Sequence, residues 1–182
     1  MSVTMEQLGQ ALPAYAKDLK LNLSSLLRQT ELTPQQTWGT AVATALAAGN
    51  KDVYSAILSE AQKNLSPEAL EGAKAAASIM GMNNVFYRFQ HLVEKEKYNT
   101  IPTRLRMNII RQHGADPVDF ELWSLAVSAV NGCGKCITSH ERVLIEKGVN
   151  EETITAAVRI ASVISAISAV FKVEPIAVPA VA

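Results

Sequence analysis

The sequence predicts an all-α protein. Three observations carry that prediction. The chain is 48% apolar but only 5% aromatic, with alanine abundant, and such interiors suit closely packed helices better than sandwiches or barrels. Helix-start signals, a cap residue followed by proline, recur along it. No segment alternates apolar and polar residues as a half-buried strand does.

The elements follow in order. Leu8, Leu12, Tyr15, Leu19, Leu23 and Leu26 recur at helical spacing and predict a helix over 5–27. Thr33-Pro34-Gln35-Gln36 has the form of a capping box with proline in the first turn. The helix it opens runs through Trp38, Val42, Ala45 and Leu46 and stops near Gly49-Asn50. Another spans about 52–64. Ser66-Pro67-Glu68-Ala69 starts an alanine-rich helix that reaches Gly81 or continues past it. Residues 94–102, charged and ending in Pro102, read as a surface connection.

The second half repeats this plan. Asp116-Pro117-Val118-Asp119 supplies a cap, a first-turn proline and an acid, and the helix it opens passes through Trp123, Val127 and Val130 to end at Asn131-Gly132. The next helix begins near Cys133 and stops at Lys147-Gly148; Asn150-Glu151-Glu152 opens a last one to about Lys172. A fixed shift of 85 positions sets Trp38 against Trp123, Val42 against Val127, Ile79 against Ile164 and Phe86 against Phe171. The expectation is a single domain over 1–182, built from two related helical halves at about 33–90 and 116–172. A tail over 175–182, containing Pro175 and Pro179, cannot continue the last helix and is expected to be loose or to dock on a neighbouring subunit. Under the same shift Ala48 and Lys51 stand where the second half has Cys133 and Cys136, which makes the first half scaffold.

Composition excludes several classes. Seventeen basic and seventeen acidic residues balance, so the basic footprint of a nucleic-acid binder is missing, as is a polybasic membrane segment. The stretch from Met1 to Lys20 lacks the basic start and apolar core of a signal peptide, and the most apolar run, Ala156 to Phe171, is interrupted by Arg159 and three serines. A cytoplasmic protein with neither nucleic acid nor membrane as partner is expected.

The chemistry lies in two cysteines three residues apart. A secreted disulfide framework would use more cysteines, linking distant segments. Two close ones point to redox chemistry or to half of a metal site. Zinc needs two further ligands; His140 is an awkward third, and His91 and His113 have no paired spacing, so no metal is expected. A CxxC at a helix start puts both sulfurs on one face, where free N–H groups and the helix dipole favour thiolate. Thiol–disulfide exchange and peroxide attack both need that thiolate. His140, one turn after Cys136, is placed to take a thiol proton or is a partly exposed helix histidine. Glu121, on the preceding helix, reaches His140 if the two helices form an antiparallel hairpin. Otherwise it is a first-turn acid favoured by the dipole.

Several segments resemble the alkyl hydroperoxide reductase D (AhpD) family. They include Tyr15-Ala16-Lys17-Asp18, Met80-Gly81-Met82-Asn83-Asn84-Val85-Phe86-Tyr87-Arg88, Leu105-Arg106-Met107-Asn108 and Phe120-Glu121-Leu122-Trp123-Ser124. The run Ser128-Ala129-Val130-Asn131-Gly132-Cys133 with Cys136 and Ser139-His140-Glu141 completes the likeness, which spans about residues 10–172. The resemblance implies an AhpD-like helical fold related to carboxymuconolactone decarboxylases, assembled as a homotrimer. It also implies an antioxidant, lipoyl-dependent peroxidase without a bound cofactor. Electrons would pass from a lipoylated dehydrogenase-complex component through the Cys133–Cys136 disulfide to the peroxiredoxin AhpC, with direct reduction of alkyl hydroperoxides besides. By position, Cys136 becomes the sulfenic acid, Cys133 is proton donor and resolving thiol and forms the mixed disulfide with AhpC, and Glu121 and His140 form the relay. Lys135 stands where a member of that family has histidine between the cysteines. It is either a thiolate-favouring charge or a solvated side chain. The alternative reading is a non-enzymatic helical assembly protein whose cysteines form a structural or metal clip.

Overall fold

A computed structural model describes residues 3–174 and 176. Among the described residues the protein is all-α, with no strand. The helices are α1 (Met5–Ala11), α2 (Lys17–Leu26), α3 (Pro34–Ala48), α4 (Lys51–Ala61), α5 (Pro67–Val93), α6 (Glu96–Thr100), α7 (Ile109–Gln112), α8 (Pro117–Val130), α9 (Gly134–Glu146) and α10 (Glu151–Val170). The tail over 175–182 lies outside the described residues except for Ile176.

The first helix differs from expectation. Instead of one helix over 5–27, α1 stops at Ala11, a 3-10 turn covers Ala14–Ala16, and α2 starts at Lys17. Pro13 is the reason. It drives Leu12 into an extended conformation (ψ 124°) and has no N–H to continue the ladder. The leucine periodicity survives the break, since Leu8 and Leu23 are both buried.

Other starts behave as their sequences dictate. Thr33 and Gln36 form the reciprocal capping box, and the Ser66 hydroxyl accepts from the N–H of Ala69. Gly81 does not end α5, which runs on to Val93 and closes at Glu94 in the left-handed region (φ 54°). A lone helix glycine costs about 1 kcal/mol relative to alanine. Buried Ala76, Ala77, Met80, Asn83 and Asn84 pack on either side of it and offset that cost. The charged connection after α5 folds its middle into the short α6.

Helices α3 and α8 pack together at the centre of the molecule, and α5 and α10 each lie against both of them, with α4 against α3 and α9 against α8 and α5. Trp123 on α8 is fully buried there. Its indole fits because two facing positions are glycine: a Cβ on Gly39 would overlap the ring. One on Gly72 would stand 2.5 Å from the Ala115 methyl and 3.4 Å from the indole. Trp38 is half-buried at the margin of the same core. Helix α10 is long and apolar enough by length and composition to span a bilayer, with mean hydropathy 1.7, but half of that stretch is buried in the fold. It lies against α2, α3 and α8.

The order α3–α4–α5 recurs as α8–α9–α10, and each helix of the first set has a counterpart N-cap in the second. Thr33 matches Asp116, Asn50 matches Cys133, and Ser66 matches Asn150. By helix start, then, Cys133 faces Asn50, whereas the constant shift pairs it with Ala48. Where the first half caps a helix with an amide oxygen, the second half uses a sulfur.

Candidate active site

The site grows from the α8–α9 hairpin. Asp116 accepts from the N–H groups of Val118 and Asp119 and starts α8. After Val130 the chain turns through Asn131 and Gly132, and Gly132 adopts φ 67°, a left-handed conformation that asks for glycine. The N–H of Cys133 donates to the Ser128 carbonyl at 3.0 Å, folding the loop back on α8. Cys133 is then the N-cap of α9, its Sγ accepting from the N–H of Cys136 at 3.3 Å.

Cys133 and Cys136 form a disulfide across the first turn, their Cα atoms 5.3 Å apart. The two sulfurs are not equally placed. Cys133 has no exposed surface, while Cys136, 6% exposed, lines a cavity of about 350 Å³ with Met80, Tyr87, Lys135, Ser139 and His140. Met107, just ahead of α7, and Ile110, within it, close an apolar wall of it.

The hairpin brings Glu121 to His140. Glu121 Oε2 lies 2.6 Å from Nδ1 of the imidazole, and both side chains are mostly buried. A carboxylate there keeps the proton on Nδ1 and leaves Nε2 as the nitrogen that exchanges protons with the cavity. In this disulfide form Nε2 sits 3.3 Å from the thioether sulfur of Met80. Lys135 extends across the cavity mouth. Its Nζ donates to Gln90 Oε1 at 3.2 Å and Asn99 Oδ1 at 3.0 Å and lies 5.6 Å from the centre of the Tyr87 ring. Its partners are neutral, so the charge stays uncompensated next to Cys136 among the described residues.

Helix α5 supplies residues that sequence reasoning had given no role. Asn84, 1% exposed, donates to Ser128 Oγ and accepts from Asn131 Nδ2, each at 2.9 Å, and Arg88 donates to the Asn131 carbonyl at 2.5 Å. These bonds hold the turn that delivers Cys133. Met80, Asn83 and Tyr87 face the cavity from the same helix. A signal existed: Met80, Asn83, Asn84, Tyr87 and Arg88 fall at helical spacing, and two amides in an apolar helix interior need a polar purpose. Asn83 is 4% exposed and its Oδ1 has no hydrogen-bond partner.

The other histidines stand apart from the sulfurs' cavity. His113 stacks on Phe120 with ring centres 3.9 Å apart and accepts the N–H of Ala115 at Nδ1. Burial pushes it below the ordinary imidazole value, against weaker opposing pulls from Glu121 and Asp116. His91, near the end of α5, brings Nε2 to 3.8 Å from where a side chain on Gly134 would begin. Among the described residues no three His, Cys, Asp or Glu side chains gather as a metal site would require. A larger hollow of about 430 Å³ along α5, beside Leu46, Val85 and Arg88, is lined by no thiol, imidazole or carboxylate.

Fold and site together define an all-helical protein organised around a CxxC disulfide and a carboxylate–imidazole pair. Residues 96–178 match the carboxymuconolactone decarboxylase family model. The chain is 61% identical over 170 residues to the alkyl hydroperoxide reductase AhpD of Solibacter usitatus, covering 93% of this chain and 96% of that protein. It is also 61% identical to that of Acidobacterium capsulatum, covering 93% of each. With that of Streptomyces coelicolor the identity is 50%, over 96% of this chain and 98% of the relative. The chain belongs to the AhpD family of alkyl hydroperoxide reductases.

Proposed function

We propose that the protein is a lipoyl-dependent thiol–disulfide enzyme that reduces the peroxiredoxin AhpC and, directly, alkyl hydroperoxides. One observation carries this reading: the Cys136 sulfur, at the head of α9, borders a cavity it shares with His140, whose other nitrogen rests on Glu121. A dihydrolipoyl thiolate entering the cavity attacks Cys136 and displaces Cys133 as the leaving thiol. The second lipoyl thiol then closes the lipoyl disulfide and frees Cys136. The resulting dithiol reduces the peroxiredoxin disulfide: Cys133, which has to leave its buried place once the disulfide is open, forms the mixed disulfide, and Cys136 resolves it. In direct turnover the Cys136 thiolate, its proton taken by His140, attacks the hydroperoxide, leaving a sulfenic acid and an alcohol. Cys133 condenses with the sulfenic acid and releases water.

The helix N-terminus and the Lys135 charge both favour the thiolate this cycle needs. Exposed Val85, Phe89 and Leu92 make an apolar stripe on α5 that supports self-association, and we take the assembly to be a cytoplasmic homotrimer. The test is a coupled assay with dihydrolipoamide as reductant and oxidised peroxiredoxin or an alkyl hydroperoxide as acceptor. Thiols should appear on the protein on adding dihydrolipoamide and disappear on adding either acceptor. A disulfide that dihydrolipoamide leaves closed would end the proposal.

A further inference from the structure

The Met80 sulfur lies 3.3 Å from the exchanging nitrogen of His140, and Met80 borders the same cavity as Cys136. It is 2% exposed, so whatever reaches its sulfur comes through that cavity. A thioether is a weak hydrogen-bond acceptor but a good nucleophile toward peroxide oxygen. We propose that Met80 is a peroxide-modification site whose sulfoxide arrests the His140 relay. The inference rests on the reading that alkyl hydroperoxides enter this cavity.

The step balances without a further reagent. The Met80 sulfur attacks the terminal peroxide oxygen, an S–O bond forms and the O–O bond breaks. The sulfur gives up an electron pair, and the peroxide is reduced to its alcohol. The proton of the hydroperoxide ends on the departing alkoxide oxygen, and Nε2 of His140 stands where it can relay it. The reaction suits the disulfide form, in which Cys136 offers no thiolate to consume the peroxide first. The sulfoxide oxygen then accepts a much stronger hydrogen bond from Nε2–H than the thioether does, and holds the proton that Nε2 must give and take. Reduction of the sulfoxide returns the thioether and the relay.

Burial alone ranks Met80 last among the described methionines, because Met5, Met82 and Met107 are each more exposed. The proposal ranks it first. Disulfide-form protein is treated with tert-butyl hydroperoxide, with no lipoyl reductant present, and the gain of one oxygen at each methionine is followed by peptide mass mapping. This readout is independent of lipoyl-driven turnover, so it separates failure of this idea from failure of the proposed function. Met80 should be oxidised ahead of Met107, which borders the same cavity. In His140→Phe that lead should disappear. After reduction of the disulfide, the oxidised protein should form thiolate only at higher pH than untreated protein, and methionine sulfoxide reductase should restore the original titration. Oxidation of Met5, Met82 or Met107 before Met80 in the wild-type protein would overturn the proposal, as would a thiolate titration indifferent to Met80 oxidation.

Discussion

Nδ1 of His140 and Oε2 of Glu121, 19 residues apart in the chain, lie 2.6 Å apart in space. The carboxylate fixes the ring and its tautomer, so the two act as one unit on whatever shares the cavity with Nε2. General-base assistance contributes about 10²–10⁴-fold where it operates. Replacing His140 with phenylalanine should therefore slow dihydrolipoamide-driven peroxide turnover by about a hundredfold or more. The thiolate titration of the reduced protein should move to higher pH. Glu121→Gln keeps a hydrogen-bond acceptor but loses the charge, and should give a smaller loss in the same direction. Turnover unaffected by either change would remove the pair from the chemistry.

Much of this arrangement is legible in the sequence because it is local. The CxxC, the cap and the one-turn spacing of His140 follow from helical geometry within a single segment. Glu121 required one further step, a hairpin implied by Asn131-Gly132. The α5 residues did not yield roles, because Met80, Asn84 and Arg88 meet α8 and α9 only through long-range packing that periodicity cannot register. The break at Pro13 was legible too: the leucine recurrence outweighed a proline that ought to have decided the matter.

The unequal burial of the two sulfurs gives a second prediction. Cys136 borders the cavity, whereas Cys133 has no exposed surface in the disulfide form. In reduced single-cysteine variants, a small alkylating agent should modify Cys136 in Cys133→Ser much faster than Cys133 in Cys136→Ser. Both variants should lack dithiol turnover. Denaturant should equalise the two alkylation rates, because the difference comes from the fold and not from the thiols themselves. Faster modification of Cys133 in folded protein would mean that the turn opens, and that the first sulfur attacked by a partner is the other one.

Stability should depend sharply on Gly39. A methyl group there runs into the indole of Trp123, which projects from α8 onto Gly39 of α3 and Gly72 of α5 and is fully buried. Overpacking of this kind costs about 1–3 kcal/mol, and occasionally more. Gly39→Ala should lower the denaturation midpoint accordingly, although alanine is the better helix former. Gly81→Ala, where a Cβ meets nothing within 4 Å, should instead raise the midpoint slightly, by up to about 1 kcal/mol. Equal effects of the two changes, read by urea titration, would contradict the packing described.

His113 sets the last expectation, a pH dependence of folding. Burial against Phe120 holds its folded-state value below the 6.5 of a free imidazole. Between the lowered value and 6.5 the unfolded chain binds the proton and the folded chain does not, so stability rises with pH across that window. The contribution is present in full above about pH 6.5 and is lost as pH falls through the folded value. His113→Phe retains an aromatic stack on Phe120 but cannot titrate. It gives up the bond accepted from Ala115, a cost independent of pH. Urea midpoints measured across the window should therefore slope downward toward acid more steeply in the wild type than in the variant. Parallel curves offset by a constant would show that the imidazole titrates in the folded protein as it does in water, and that its stack on Phe120 does not shield it.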